Sequence, residues 1–168
     1  LDYVLTLDGG SITGRNEYTY RIDRAGTLRD ESMQVEYINQ FGTTGDLNNP
    51  VKGKLRAKTV YSEDIDDSLH PNLDESQRVK CVFTYYVDNA DQLCEDARSD
   101  YIYQDGSLEK MLSIRQYNIR GNIDDETLLD ANLLSQTEYR SDGIRVNDVV
   151  TLDKGQYKTM SAYTYRGE

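Results

Sequence analysis

Four cations recur at every second position in the middle of an otherwise acidic chain: Lys52, Lys54, Arg56 and Lys58. A spacing of two places all four on one face of an extended strand, where like charges in a row repel. An acidic neighbouring strand, solvent, or an acidic surface on a partner must compensate them, and another copy of the chain would serve. These four residues are therefore the candidate interface. Acidic side chains gather in three places: Glu63, Asp64, Asp66 and Asp67; Asp88, Asp91, Glu95 and Asp96; and Asp124, Asp125, Glu126 and Asp130. Hard cations seek clustered oxygen ligands, so a Ca2+ ion at an acidic loop is the one metal the sequence offers. None of the clusters has EF-hand spacing. Counted from Asp88, the third position is Ala90 and the sixth is Leu93, where the loop needs Gly. The plainer reading is solvated loops, with helix caps at Asp88 and Asp124.

Groups for covalent or acid–base catalysis are few. The single histidine, His70, precedes Pro71 in an acidic stretch with nothing nearby to orient it. Cys94 lies among Asp91, Glu95 and Asp96, and neighbouring negative charge disfavours a thiolate. Cys81 alternates with apolar residues and reads as a small buried hydrophobe. Paired, Cys81 and Cys94 would close a loop worth about 3 kcal/mol in the chain-entropy model; the sequence leaves that disulfide open. One histidine and two separated cysteines do not suit zinc. No nucleophile elbow, dinucleotide fingerprint or phosphate loop occurs, and the Gly-Thr-Thr-Gly at 42–45 lacks the phosphate-loop lysine. Carboxylate pairs are unavoidable among 30 acids, and there is no Trp to line a sugar subsite. The expectation is a protein that is not an enzyme and needs no cofactor.

The aromatic content is 14 Tyr, 2 Phe and no Trp. Tyrosine favours strands and carries a polar tip, which suits cross-strand packing, interface hot spots and ligand-barrel walls. The net charge of −11 repels phosphate backbones and anionic lipid heads, so nucleic acid is not an expected partner. No run approaches the roughly 20 apolar residues of a membrane-spanning helix. The first residue is Leu1, as in a processed protein or one trimmed at its start. A setting outside the cytoplasm, or in a virion, is favoured.

The elements that must position these residues are strands. Over residues 77–88, Val79, Cys81, Phe83, Tyr85 and Val87 alternate with Arg78, Lys80, Val82, Thr84 and Tyr86, a period of two. Similar alternation covers 17–23, 33–41, 51–61 and 157–166. Residues 108–119 fit helical spacing in part, but the Asp105-Gly106 turn and Ile114, Tyr117 and Ile119 make them a strand. Asp105-Gly106 and Asp142-Gly143 read as two-residue hairpin turns; Asp8-Gly9-Gly10, 24–26 and Lys154-Gly155 read as looser ones. Short helices are expected at 124–134 and 89–98. Residues 42–50 and 62–76 are expected to be long loops. The fold class is all-β and mainly antiparallel: a hairpin meander of about ten strands forming a barrel or sandwich, with one or two short helices, in a single domain over 1–168.

The functional expectation is a non-catalytic structural or assembly subunit of virion, tail or surface-assembly type. It would act through a protein partner or as a homo-oligomer. The alternative is a lipocalin-like barrel carrying a small, partly apolar ligand, although the Gly-x-Trp that opens many lipocalins is absent.

Overall fold

The computed structural model describes residues 3–20, 35–61, 78–104, 107, 110–121 and 130–166. Ten strands account for most of them: β1 (Tyr3–Asp8), β2 (Ser11–Tyr20), β3 (Val35–Asp46), β4 (Asn49–Tyr61), β5 (Val79–Val87), β6 (Leu93–Tyr103), β7 (Met111–Asn118), β8 (Leu133–Tyr139), β9 (Val146–Asp153) and β10 (Gln156–Ala162). They belong to one antiparallel sheet whose order follows the chain from β1 to β10. Among the described residues only Asp130 and Ala131 are α-helical. Contacts gather into two compact units, one of residues Leu1–Ile65 and Glu75–Cys94, the other of Asp66–Asp74 and Glu95–Glu168.

In the first unit, β1 and β2 join through Gly9-Gly10, with φ of 55° and 84°. Positive φ at both central residues is the mark of a primed hairpin turn, whose twist matches the strands it joins. β3 and β4 pair from Tyr37↔Val60 to Asp46↔Asn49. The long loop expected at 42–50 is therefore a hairpin tip with Leu47 and Asn48 as its turn. Its Gly and Thr residues belong to the ladder: Thr is a strong strand former, and the glycines permit close backbone contact. Among the described residues of this unit the buried apolar ones are Ile12 and Cys81.

The helix expected over 89–98 is also absent. The Asp88 carboxylate accepts hydrogen bonds from the backbone N–H groups of Ala90 (2.9 Å) and Gln92 (2.8 Å). That is the bonding of a helix cap, here used to close a turn. Asp91 takes a φ of 62°, which a helix cannot continue through. The Asp88 N–H then donates to the Gln92 carbonyl at 3.0 Å, and the chain leaves as β6.

In the second unit, β7 is a strand as its Ile and Tyr pattern predicts, paired with β6 (Tyr101↔Ile114) and β8 (Arg115↔Gln136). Among the described residues of this unit the buried apolar ones are Tyr117, in β7, and Ile119, just after it, and Ser113 is buried too. The Asp142-Gly143 connection is wider than a two-residue hairpin and occupies residues 140–145. Asp142 shapes it, accepting from the N–H groups of Ile144 and Arg145, both at 2.9 Å, and from Arg145 Nε at 2.5 Å. Lys154-Gly155, by contrast, forms the tight turn, with φ of 50° and 74°. The helix expected at 124–134 lies mostly outside the described residues, and Leu133 already opens β8. Residues 24–26, Asp105-Gly106 and the 62–76 segment with His70 also lie outside them.

Candidate functional site

Two surfaces have a composition that requires explanation. The first is the basic strand β4, whose alternation is broken twice. Opposite β3 the pairs run Gln40↔Ala57, Phe41↔Leu55 and Thr43↔Lys52. β4 therefore advances one residue more than β3 at each of two steps, which is the count of two β-bulges. Each bulge reverses the facing of the residues beyond it. Lys52 and Lys58, outside the bulged stretch, stay on one face: their Nζ atoms lie over the Phe41 and Tyr37 rings, at 3.8 and 4.2 Å from the centroids. Between them Leu55, directly opposite Phe41, takes that face. The single-faced row of four cations expected from the spacing is thus divided.

Lys52 donates to Glu17 at 2.7 Å, and the other Glu17 oxygen meets Arg15 Nη2 at 2.9 Å. Lys54 pairs with the Asp91 carboxylate and donates to the Asp91 carbonyl at 3.2 Å. The Arg56 guanidinium lies across Gly42, within 2.9 Å of where a Cβ would stand. Among the described residues Arg56 makes no ion pair. Glu17 and Asp91 are partners that strand spacing does not reveal, because one sits two strands away and the other at a hairpin tip.

Bulging also needs glycine. A Cβ on Gly53 would stand 2.6 Å from the Gly42 carbonyl oxygen, closer than side chains tolerate.

The second surface is β10. All its residues are exposed, with Tyr157 at 83% and Met160 at 66%. Their odd separation would put them on opposite faces of a regular strand. The register, Tyr157↔Leu152, Thr159↔Thr151 and Met160↔Val150, skips Lys158. Leu152 and Val150 share a face, so Tyr157 and Met160 share it too. One bulge thereby assembles an apolar strip of Val150, Leu152, Tyr157 and Met160. On the opposite face, the Thr151 and Thr159 hydroxyls bond to each other.

The segment after β10 is held firmly. Tyr163 donates from its N–H to the Asn147 carbonyl at 3.0 Å, and Arg140 Nη2 donates to the Tyr163 carbonyl at 2.7 Å. The Tyr165 hydroxyl donates to the Val146 carbonyl at 3.1 Å, and its ring lies under Arg140 and Arg145, 4.9 and 5.5 Å from the guanidinium carbons.

No protein-family model matches this chain, and no curated protein does. Among solved structures it is similar to a crystal structure of a protein of unknown function from Bacteroides fragilis NCTC 9343, with 10% identity, covering 96% of this chain and 90% of that one. The TM-score is 0.30, too low to bear on fold or function.

The other sequence candidates are dispersed. No disulfide joins Cys81 and Cys94. In the β5 hairpin Cys81 lies seven residues before Asp88, while Cys94 lies two after Gln92. The five-residue difference is about 16 Å of strand, beyond the roughly 7 Å a disulfide can span. The Cys94 thiol instead faces the Asp88 carboxylate at 4.0 Å. In the second acidic cluster Asp88 closes its turn, Asp91 meets Lys54, and Asp96 meets Arg120 Nε at 2.6 Å. Among the described residues no three His, Cys, Asp or Glu side chains are grouped to hold a metal. Of the third cluster only Asp130 is described, and the first lies outside the described residues altogether. No described helix is long and apolar enough to cross a membrane.

Proposed function

We propose that this protein is a structural or assembly subunit that acts through protein–protein contacts, with the β9–β10 face as its docking surface and a second copy as the simplest partner. The bulge at Lys158 carries this reading, because it turns Tyr157 and Met160 to the same side. Contiguous exposed apolar residues mark interaction sites. Among the described residues β10 also has one strand neighbour, β9, and an edge strand offers backbone donors and acceptors to an incoming strand. Edges that avoid association carry several charges or a proline; β10 has no proline and a single charged residue, Lys158.

Sedimentation velocity over a range of concentrations tests the proposal. Association that rises with concentration, and that weakens about tenfold or more in a Tyr157→Lys, Met160→Lys double variant, is the expected result. The magnitude follows from losing the burial of two large apolar side chains, about 1.5–3 kcal/mol each when fully buried. A monomer at every concentration would overturn self-association. Ligand-dependent stabilisation of that monomer would favour the small-ligand carrier instead. Charge reversal at Lys54 and Arg56 serves as the second arm. If β4 also contacts a partner, reversal weakens association in a salt-dependent way; unchanged sedimentation removes the basic strand from the interface.

A further inference from the structure

Ladder pairing between β4 and β5 runs from Tyr61↔Val79 to Ala57↔Thr84. Beyond that pair both strands continue, β4 back to Asn49 and β5 on to Val87. The bulged part of β4 borders a concavity of about 300 Å3 there, lined among others by Thr43, Lys54, Leu55, Arg56, Tyr85 and Val87. Such a volume lies at the small end of ligand-binding pockets. Its wall is largely apolar, and two cations stand on it.

Those cations differ. Lys54 is fixed by two contacts to Asp91. Arg56 is exposed and makes no ion pair among the described residues; its guanidinium rests on Gly42. A third polar group is notable for burial. Thr43 is 5% exposed, and its hydroxyl has no hydrogen-bond partner among the described residues. Buried hydroxyls are nearly always satisfied, but this one is shut off from the open concavity and takes no part in ligand binding there.

The geometry points to a binding site for a small organic anion with an apolar body, a carboxylate of aryl or short-chain acid type. Arg56 receives the carboxylate, because the planar guanidinium fork matches two carboxylate oxygens. Lys54 supplies a second, pre-positioned positive charge. Leu55 and Val87 take the apolar part. A phosphate alone would leave the apolar wall unused. A cation would meet like charge, with Asp91 already engaged. The site stands independently of the β9–β10 surface.

Benzoate is a suitable probe, with benzamide and inorganic phosphate as comparators, followed by calorimetry and by amide chemical shifts. Saturable benzoate binding is expected, with shifts centred on residues 42–44, 53–56 and 85–87, little response to neutral benzamide, and weaker binding of phosphate. Arg56→Gln should weaken benzoate about tenfold or more, as loss of a charge-assisted hydrogen bond does. Arg56→Lys should restore part of the loss, and neither variant should move the thermal midpoint of the free protein by more than a degree or two. Absence of saturable benzoate binding overturns the proposal. So do equal affinity for benzamide, equal affinity for phosphate, or unchanged affinity in Arg56→Gln.

Discussion

Asp142 shows how one side chain sets a connection. The N–H groups of Arg145 and Ile144, and then the Arg145 guanidinium, hold its carboxyl well below the usual carboxylate range. A carboxyl with a lower pKa folded than unfolded stabilises the fold above the unfolded pKa, near 4, and that contribution fades as pH falls further. Asp142→Asn keeps an acceptor but loses the charge. It should lower the thermal midpoint at pH 7 by a few degrees, and the difference from the parent should shrink between pH 4 and pH 2. Melts across that range check it, and a constant difference would show that the charge is not the cause. Asp88 also accepts backbone N–H bonds at its own turn: the capping chemistry expected of it is present, but it closes a hairpin rather than starting a helix.

At the scale of elements, bulges decide which residues face together. Two in β4 split the cationic row, sending Lys52 and Lys58 over aromatic rings, and one in β10 unites Tyr157 with Met160. The β4 bulges depend on Gly53, whose missing Cβ leaves room for the Gly42 carbonyl. Gly53→Ala should destabilise by about 1–3 kcal/mol, the usual range for forcing extra atoms into a tight contact, measured by urea denaturation. Alternation read along the sequence cannot register a bulge, because the extra residue is defined by the partner strand. The same reason hid Glu17 and Asp91 as partners of Lys52 and Lys54. The surface ion pairs themselves contribute about 0–1 kcal/mol each, so they arrange charge more than they stabilise.

For the whole molecule the net charge of −11 makes alkaline conditions informative. Burial raises the pKa of Tyr61, with the Tyr18 phenol adding to the effect. Burial likewise raises that of Tyr117, helped by Asp100 and Asp130 and opposed by Arg115. A phenol with a higher pKa folded than unfolded leaves stability intact below about pH 10, the unfolded value; above it the unfolded chain ionises first and stability falls. Denaturation midpoints should be level from pH 7 to 9 and drop beyond about pH 10, and Tyr117→Phe should flatten part of that drop. A drop of equal size in Tyr117→Phe would assign it to general charge repulsion.

The residues by themselves determined the all-β, antiparallel meander and most strand positions, because side-chain alternation and turn chemistry are local properties of a chain that alternates between a covered and a wet side. β7 is the clearest case: Ile114 and Tyr117 outweighed a partial helical spacing. The sequence also marked Lys52, Lys54, Arg56 and Lys58 as charges in need of compensation. Only the tertiary structure decided which of them find partners, that residues 42–50 are ladder rather than loop, and that Tyr157, Met160 and the Arg56 concavity form surfaces. Each of those depends on register, and register is a relation between strands distant in the chain, fixed by packing and by glycine-dependent bulges rather than by any single segment.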